Sequence, residues 1–257
     1  MQNGLPNMMN FPVLLFVPTA IILWLAARYG AVVRRHRPLQ ESERDDFGVV
    51  QSATLTLLAL LIGFTFSMAI SRYDLRKNYE EAEANAIGTE YVRVGLLPPA
   101  DASPLQVQLK RYTDLRIEFY KTRGGDGLQR INAETAQLQT DMWNAVQAPA
   151  LAQPTPVMAL VVSGMNDVLN SQGYTQAAWW NRIPIAAWMF LFLTAMGCNV
   201  LVGYGSHGDQ AKSGLLVVTP LLVAISFMLI ADIDSPRGGL IHVSPQNLTA
   251  LWHSLHP

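Results

Sequence analysis

The sequence predicts an all-α, multi-pass membrane protein. It has four transmembrane helices in a two-plus-two order, separated by a helical extramembrane domain. Three observations predict it. First, residues 11–27, 47–71, 183–206 and 213–231 contain no Asp, Glu, Lys or Arg. Each run is close to the ~20 residues that cross a hydrocarbon core of ~30 Å. Second, only 14% of the 257 residues are charged and half are hydrophobic, whereas a soluble domain carries about 25% charge. A chain this short cannot build a soluble core around four such runs. Third, no stretch alternates apolar and polar residues long enough to make a strand, so no sheet is expected.

The first helix is expected over about 11–29. Its leader has no positive charge, and Arg34, Arg35, His36 and Arg37 follow the apolar run instead of preceding it. That is the reverse of a cleaved signal, so the helix is read as retained, although Ala26-Ala27 offers a cleavage-like pair. The second helix, 47–71, ends on Arg72-Tyr73, a basic and an aromatic residue suited to the lipid–water interface. It continues unbroken as a polar helix over 74–94 and stops before Pro98-Pro99. Ser103-Pro104 reads as an N-cap with proline at the first helical position. The helix it starts runs to about Arg123, with Leu105, Leu109, Tyr112 and Phe119 on one stripe. Gly124-Gly125-Asp126-Gly127 is a turn. The next helix, about 128–146, aligns Leu128, Ile131, Leu138, Met142 and Ala145. Pro149, Pro154 and Pro156 break the chain again. A helix over 157–172 leads to Trp179-Trp180, read as an aromatic belt ahead of the third span. The third and fourth spans are expected at 183–206 and 213–232. The domain division is therefore 1–72, 73–182, 183–234 and a tail, 235–257.

Several function classes are excluded. The single cysteine, Cys198, lies inside an apolar run and forms no disulfide within the chain. A net charge of −1 argues against a nucleic-acid partner. His207, His242, His253 and His256 do not share helical spacing with other ligand types, so neither a metal nor a cofactor is expected. No His-Glu-x-x-His or Gly-x-Ser-x-Gly pattern is present, and the chain is not read as an enzyme. No apolar run carries a charge at its centre, which argues against proton-coupled transport.

Parity places the central segment and the tail on one side of the membrane, and loops 28–46 and 207–212 on the other. Two sets of residues are candidates for function. Ser52, Thr56, Ala59, Gly63, Ser67 and Ile70 share one face of the second helix at steps of three and four. Small residues in this pattern serve helix packing in lipid. The same face, or its neighbour with Leu60 and Phe64, could instead line a pore and gate it by dewetting. Asp232 and Asp234 close the last span, against the helix dipole, and should seek a cation among Arg72, Arg182 and Arg237. This cluster is either a clamp for the helix ends or a charged vestibule. Asn85 and Asn199 are read as helix-interface residues. Glu80, Glu81 and Glu83, following Arg76 and Lys77 at helical spacing, are read as a solvated, paired face.

The segment Leu60-Leu61-Ile62-Gly63-Phe64-Thr65-Phe66-Ser67-Met68-Ala69-Ile70-Ser71-Arg72-Tyr73 resembles the pore-neck helix of the bestrophin ion channels, which share the two-plus-two layout. Aligned through Gly63-Phe64 and Arg72-Tyr73, the three neck positions fall on Thr56, Leu60 and Phe64, with a hydroxyl residue where bestrophins carry an apolar one. The blocks Glu83-Ala84-Asn85-Ala86-Ile87-Gly88-Thr89, Leu96-Leu97-Pro98 and 232–244 resemble signatures of a bacterial bestrophin-like membrane family catalogued as a domain of unknown function. The animal family's acidic calcium clasp is missing after Pro236-Arg237-Gly238, so no calcium site is expected. The resemblance implies a homo-oligomer, pentameric in that family, lined by Thr56, Leu60 and Phe64, to which the small-residue face adds Ser67 as a candidate. It implies passive conduction of inorganic ions, anions being the expected sign, across a bacterial inner membrane. It also places the central domain in the cytosol, opposite to the cue from the Arg34–Arg37 cluster. The other reading is a non-conducting membrane scaffold or stress sensor whose helical domain binds a partner.

Overall fold

The computed structural model describes residues 12–206 and 214–256; the leader, His207 and the loop to Lys212 lie outside the described residues. The described residues are helical and contain no strand. The α-helices are α1 (Pro12–His36), α2 (Arg44–Val94), α3 (Pro99–Lys121), α4 (Asp126–Ala152), α5 (Pro156–Trp180), α6 (Ile185–Gly205), α7 (Val218–Asp234) and α8 (Gln246–Leu255). Short 3₁₀ turns precede α2 and α7. Four helical segments are long and apolar enough to cross a membrane. The chain divides into two compact units, Met1–Ser71 with Arg182–His242, and Arg72–Asn181 with Val243–Pro257.

The first unit holds α1, the apolar start of α2, α6 and α7. Its centre is Leu23, Leu58, Leu191, Ala195, Cys198, Val223 and Phe227. Small residues work between α1 and α6. A Cβ on Gly203 would stand 1.8 Å from the Ala27 carbonyl oxygen, and one on Gly30 would stand 2.0 Å from that of Val200. Backbone approach this close is what drives association where lipid removes the hydrophobic effect between helices. Arg34 donates to the Tyr204 carbonyl at 3.1 Å near the C-terminus of α6, where a cation complements the helix dipole. The Tyr204 hydroxyl donates back to the Arg37 carbonyl at 3.0 Å. Asn199 is buried, but its amide donates to Ala195 of its own helix at 2.8 Å. Asn85 is exposed.

The second unit holds the polar end of α2 with α3, α4, α5 and α8. The stripes read from the sequence meet in its core, where Leu105, Leu109, Tyr112, Phe119, Ile131 and Met142 are buried. Two prolines expected to bound helices lie inside them. The helix expected to start at Pro104 starts a turn earlier, at Pro99, with the Pro98 carbonyl accepting from Asp101 and Ala102 at 2.9 Å. Pro149 sits near the end of α4, where a missing N–H costs one bond and not a helix. Helix α5 extends to Trp180, so only Trp180 is exposed. Trp179 is a core residue, with its ring 5.0 Å from Phe119 and 5.3 Å from Tyr120. The tail contributes an unexpected helix, α8, and Trp252 on it donates to Asp114 at 2.6 Å.

The pairing expected of the acidic block on α2 also changes. Lys77 and Glu81 are exposed, but Arg76, Glu80 and Glu83 are buried. Arg76 donates to the carbonyls of Ala178 and Asn181 at 3.3 and 3.4 Å, closing the C-terminus of α5. Glu80 accepts from the Leu248 N–H at 2.9 Å and the Asn247 side chain at 2.7 Å, capping the start of α8. Glu83 binds Arg116 and accepts from Thr175 at 3.2 Å. Charges at steps of three and four mark a helix face but do not say which face is wet.

Candidate pore helix and membrane-edge cluster

Helix α2 is 51 residues long, about 75 Å at 1.5 Å per residue, and a crossing needs about 20 of them. Its most apolar window is only 11% buried by the rest of the chain, against 22% to 39% for the other three spans. Leu58 and Ala69 face the inside of the unit, and Leu55, Leu61 and Ile62 are half-buried. The opposite face carries every candidate. Ser52, Thr56, Ala59, Gly63, Ser67 and Ile70 are exposed, and so are Leu60 at 53% and Phe64 at 68%.

This exposure bears on the small-residue face. A Cβ added to Gly63 meets nothing within 4 Å, so Gly63 is not holding two helices of this chain together. The close helix contacts lie elsewhere, at Gly30 and Gly203. The hydroxyl of Thr56 donates to the Ser52 carbonyl at 2.9 Å, and that of Ser71 to the Ser67 carbonyl at 3.0 Å. Satisfied along their own helix in this way, these groups can face lipid, another copy or water at little cost.

At the end of α7, Asp232 and Asp234 are both buried. Asp232 is bidentate to backbone, accepting from Leu240 at 2.8 Å and Ile241 at 2.9 Å. The loop between them turns at Gly239, whose φ of 82° favours glycine. Ser235 assists by accepting from the Gly238 N–H at 3.1 Å. Asp234 accepts from the Ile183 N–H at 3.1 Å, just before α6, and lies within the field of Arg182. So Asp234 is near a cation, while Asp232 is held by two backbone amides. Backbone N–H groups can satisfy a buried carboxylate through charge-assisted hydrogen bonds. Arg237 is half-buried in the same loop. Arg72 begins the second unit. Sequence reasoning missed the amide clasp; its signal was Asp232 placed six residues before the Gly238-Gly239 turn.

Four apolar spans, one of them largely uncovered, define a polytopic membrane protein built from helices. The bestrophin-like domain family matches residues 13–248, almost the whole chain, and the protein belongs to that family. In fold it is similar to a bacterial bestrophin homologue from Klebsiella pneumoniae. One variant of that protein is 15% identical, with a TM-score of 0.64 and coverage of 93% of each chain. A second variant is 13% identical, with a TM-score of 0.64, covering 95% of this chain and 97% of the other. A structure described only as a membrane protein gives 0.67 at 13% identity, covering 93% and 97%. No curated protein matches the sequence.

Proposed function

We propose that the protein is a homo-oligomeric ion pore lined by α2, through Thr56, Leu60, Phe64 and Ser67. The observation that carries this reading is the uncovered face of α2. Its hydroxyl and apolar residues share one stripe that no described helix of the same chain covers. Membership of the bestrophin-like family supports the same assignment. Leu60 and Phe64, one turn apart, would form successive apolar rings that control wetting, and Thr56 would supply a hydroxyl ring one turn earlier. Conduction is passive, the expected ion is an anion, and the expected assembly is a pentamer in a bacterial inner membrane. Asp232, Asp234 and Arg182 serve as a clamp at the helix ends, and their carboxylates are occupied by backbone amides.

Cysteine accessibility tests the assignment. The native Cys198 is buried and supplies a quiet background. Single cysteines at positions 56, 60, 64 and 67 are treated with a charged, water-soluble thiol reagent in reconstituted vesicles. A pore predicts modification at these positions and protection at Leu58 and Ala69 on the covered face of the same helix. Protection at all four positions, in protein shown to be oligomeric, would favour the scaffold reading.

A further inference from the structure

On α2, residues 76, 80, 83, 87, 90 and 94 recur at steps of four and three, and all are at most 2% exposed. Four of the six are ionisable. A buried charge needs a partner, and three have one. Arg76 holds the end of α5, Glu80 caps α8 and Glu83 binds Arg116. Glu90 is the exception. Both of its carboxyl oxygens are buried without a hydrogen-bond partner.

Its surroundings explain where it goes. A Cβ on Gly164 of α5 would stand 1.9 Å from Glu90 Oε2 and 2.6 Å from Arg93 Nη1. The carboxyl therefore fills the space left by a missing side chain on the facing helix. Arg93 of α2 and Asp167 of α5 are the charges that act on it. From α3, the Arg116 guanidinium is bound to Glu83, and Lys110 stands over the Tyr91 ring at 5.9 Å. Burial pushes the Glu90 carboxyl up to about 8; Arg93 opposes this and Asp167 adds to it.

We propose that Glu90 is a proton-operated clasp between α2 and α5, closed when the carboxyl is neutral and loosened when it gives its proton to water. The seam against Gly164 has room for the acid, and the anion would have the Arg93 guanidinium nearby but no hydrogen bond to either oxygen. The device sits on the helix that follows the second span and on the helix that precedes the third. It does not depend on whether the protein conducts.

Hydrogen exchange of the full-length protein in detergent tests it. The parent and E90Q are compared at pH 6 and at pH 9, so that intrinsic exchange cancels at each pH. From pH 6 to pH 9 the parent-to-variant exchange ratio of segments 86–94 and 160–168 should rise several-fold, because the opened carboxyl ionises above about 4.5 and the closed one above about 8. At pH 9 both segments should exchange several-fold faster in the parent. E90M, apolar and of similar length, carries the same expectation if E90Q does not fold. Parent alone gives a further reading: exchange in 86–94 relative to 131–142 should rise between pH 6 and pH 9. A constant ratio in the parent, or equal exchange in parent and variant at pH 9, overturns the proposal.

Discussion

The Glu83–Arg116 pair is the most consequential buried interaction of the second unit. Both side chains are fully buried. Arg116 also lies over the Phe119 ring at 4.3 Å, and its Nη1 already lacks a hydrogen-bond partner. Replacing Glu83 by Leu removes the carboxylate paired with that guanidinium and takes from Thr175 the acceptor of its hydroxyl. Breaking a buried pair from one side costs about 3–5 kcal/mol. At about 2–4 °C per kcal/mol for a chain of this size, the melting temperature should fall by roughly 10 °C. Arg116→Met should cost a similar amount, because it strands the Glu83 anion. The double variant should recover most of the loss, since apolar replacements of similar volume relieve both desolvation penalties. The assay is thermal unfolding in detergent followed by tryptophan fluorescence, with Trp179 in the same core as reporter. Additive losses in the double variant, or an unchanged melt in E83L, would refute the reasoning.

Asp232→Ala should free the loop after α7. It removes two amide acceptors, each charge-assisted bond contributing about 1.5–3 kcal/mol, and the Leu240 and Ile241 amides should lose exchange protection while the α1 amides keep theirs. Gly203→Val should separate α1 from α6, because its Cβ would overlap the Ala27 carbonyl; a destabilisation of more than about 3 kcal/mol is expected, whereas Gly63→Ala, facing open space, should leave the melt within about 1 kcal/mol. Stability should also depend on pH through Glu90. Its folded value of about 8 stands above the ordinary 4.5, so the folded state binds the proton more tightly. Relative to E90Q, the parent is most stable below pH 4.5 and loses up to a few kcal/mol as pH rises to about 8. Melting curves at pH 5, 7 and 9 check the sign.

The spans were legible because a hydrocarbon core imposes length and excludes charge, and both constraints are written in one dimension. The stripes on α3 and α4 were legible because helical period and burial coincide at Leu105, Leu109, Ile131 and Met142. What was not legible depended on partners far away in the chain. Arg76, Glu80 and Glu83 looked solvated because their partners lie in α3, α5 and α8, which are roughly 30 to 170 residues away. Helix α8 is ten residues long, too short to declare itself by propensity, and forms where Glu80 and Asp114 can hold it. Trp179 read as an interfacial residue because composition does not show that α5 carries it into a core. On α2 the spacing of small residues fitted both packing and pore lining. The empty space around Gly63, set against the crowded Gly30 and Gly203, excludes close packing on a described helix of the same chain.

Current through planar bilayers holding the purified oligomer tests the central claim most directly, with the parent compared with Phe64→Ala. The account predicts a current in the parent whose size or rectification changes in the variant, and a reversal potential in asymmetric salt that reports anions. Identical currents in both proteins would remove α2 from the pore, and silence in both would contradict conduction itself.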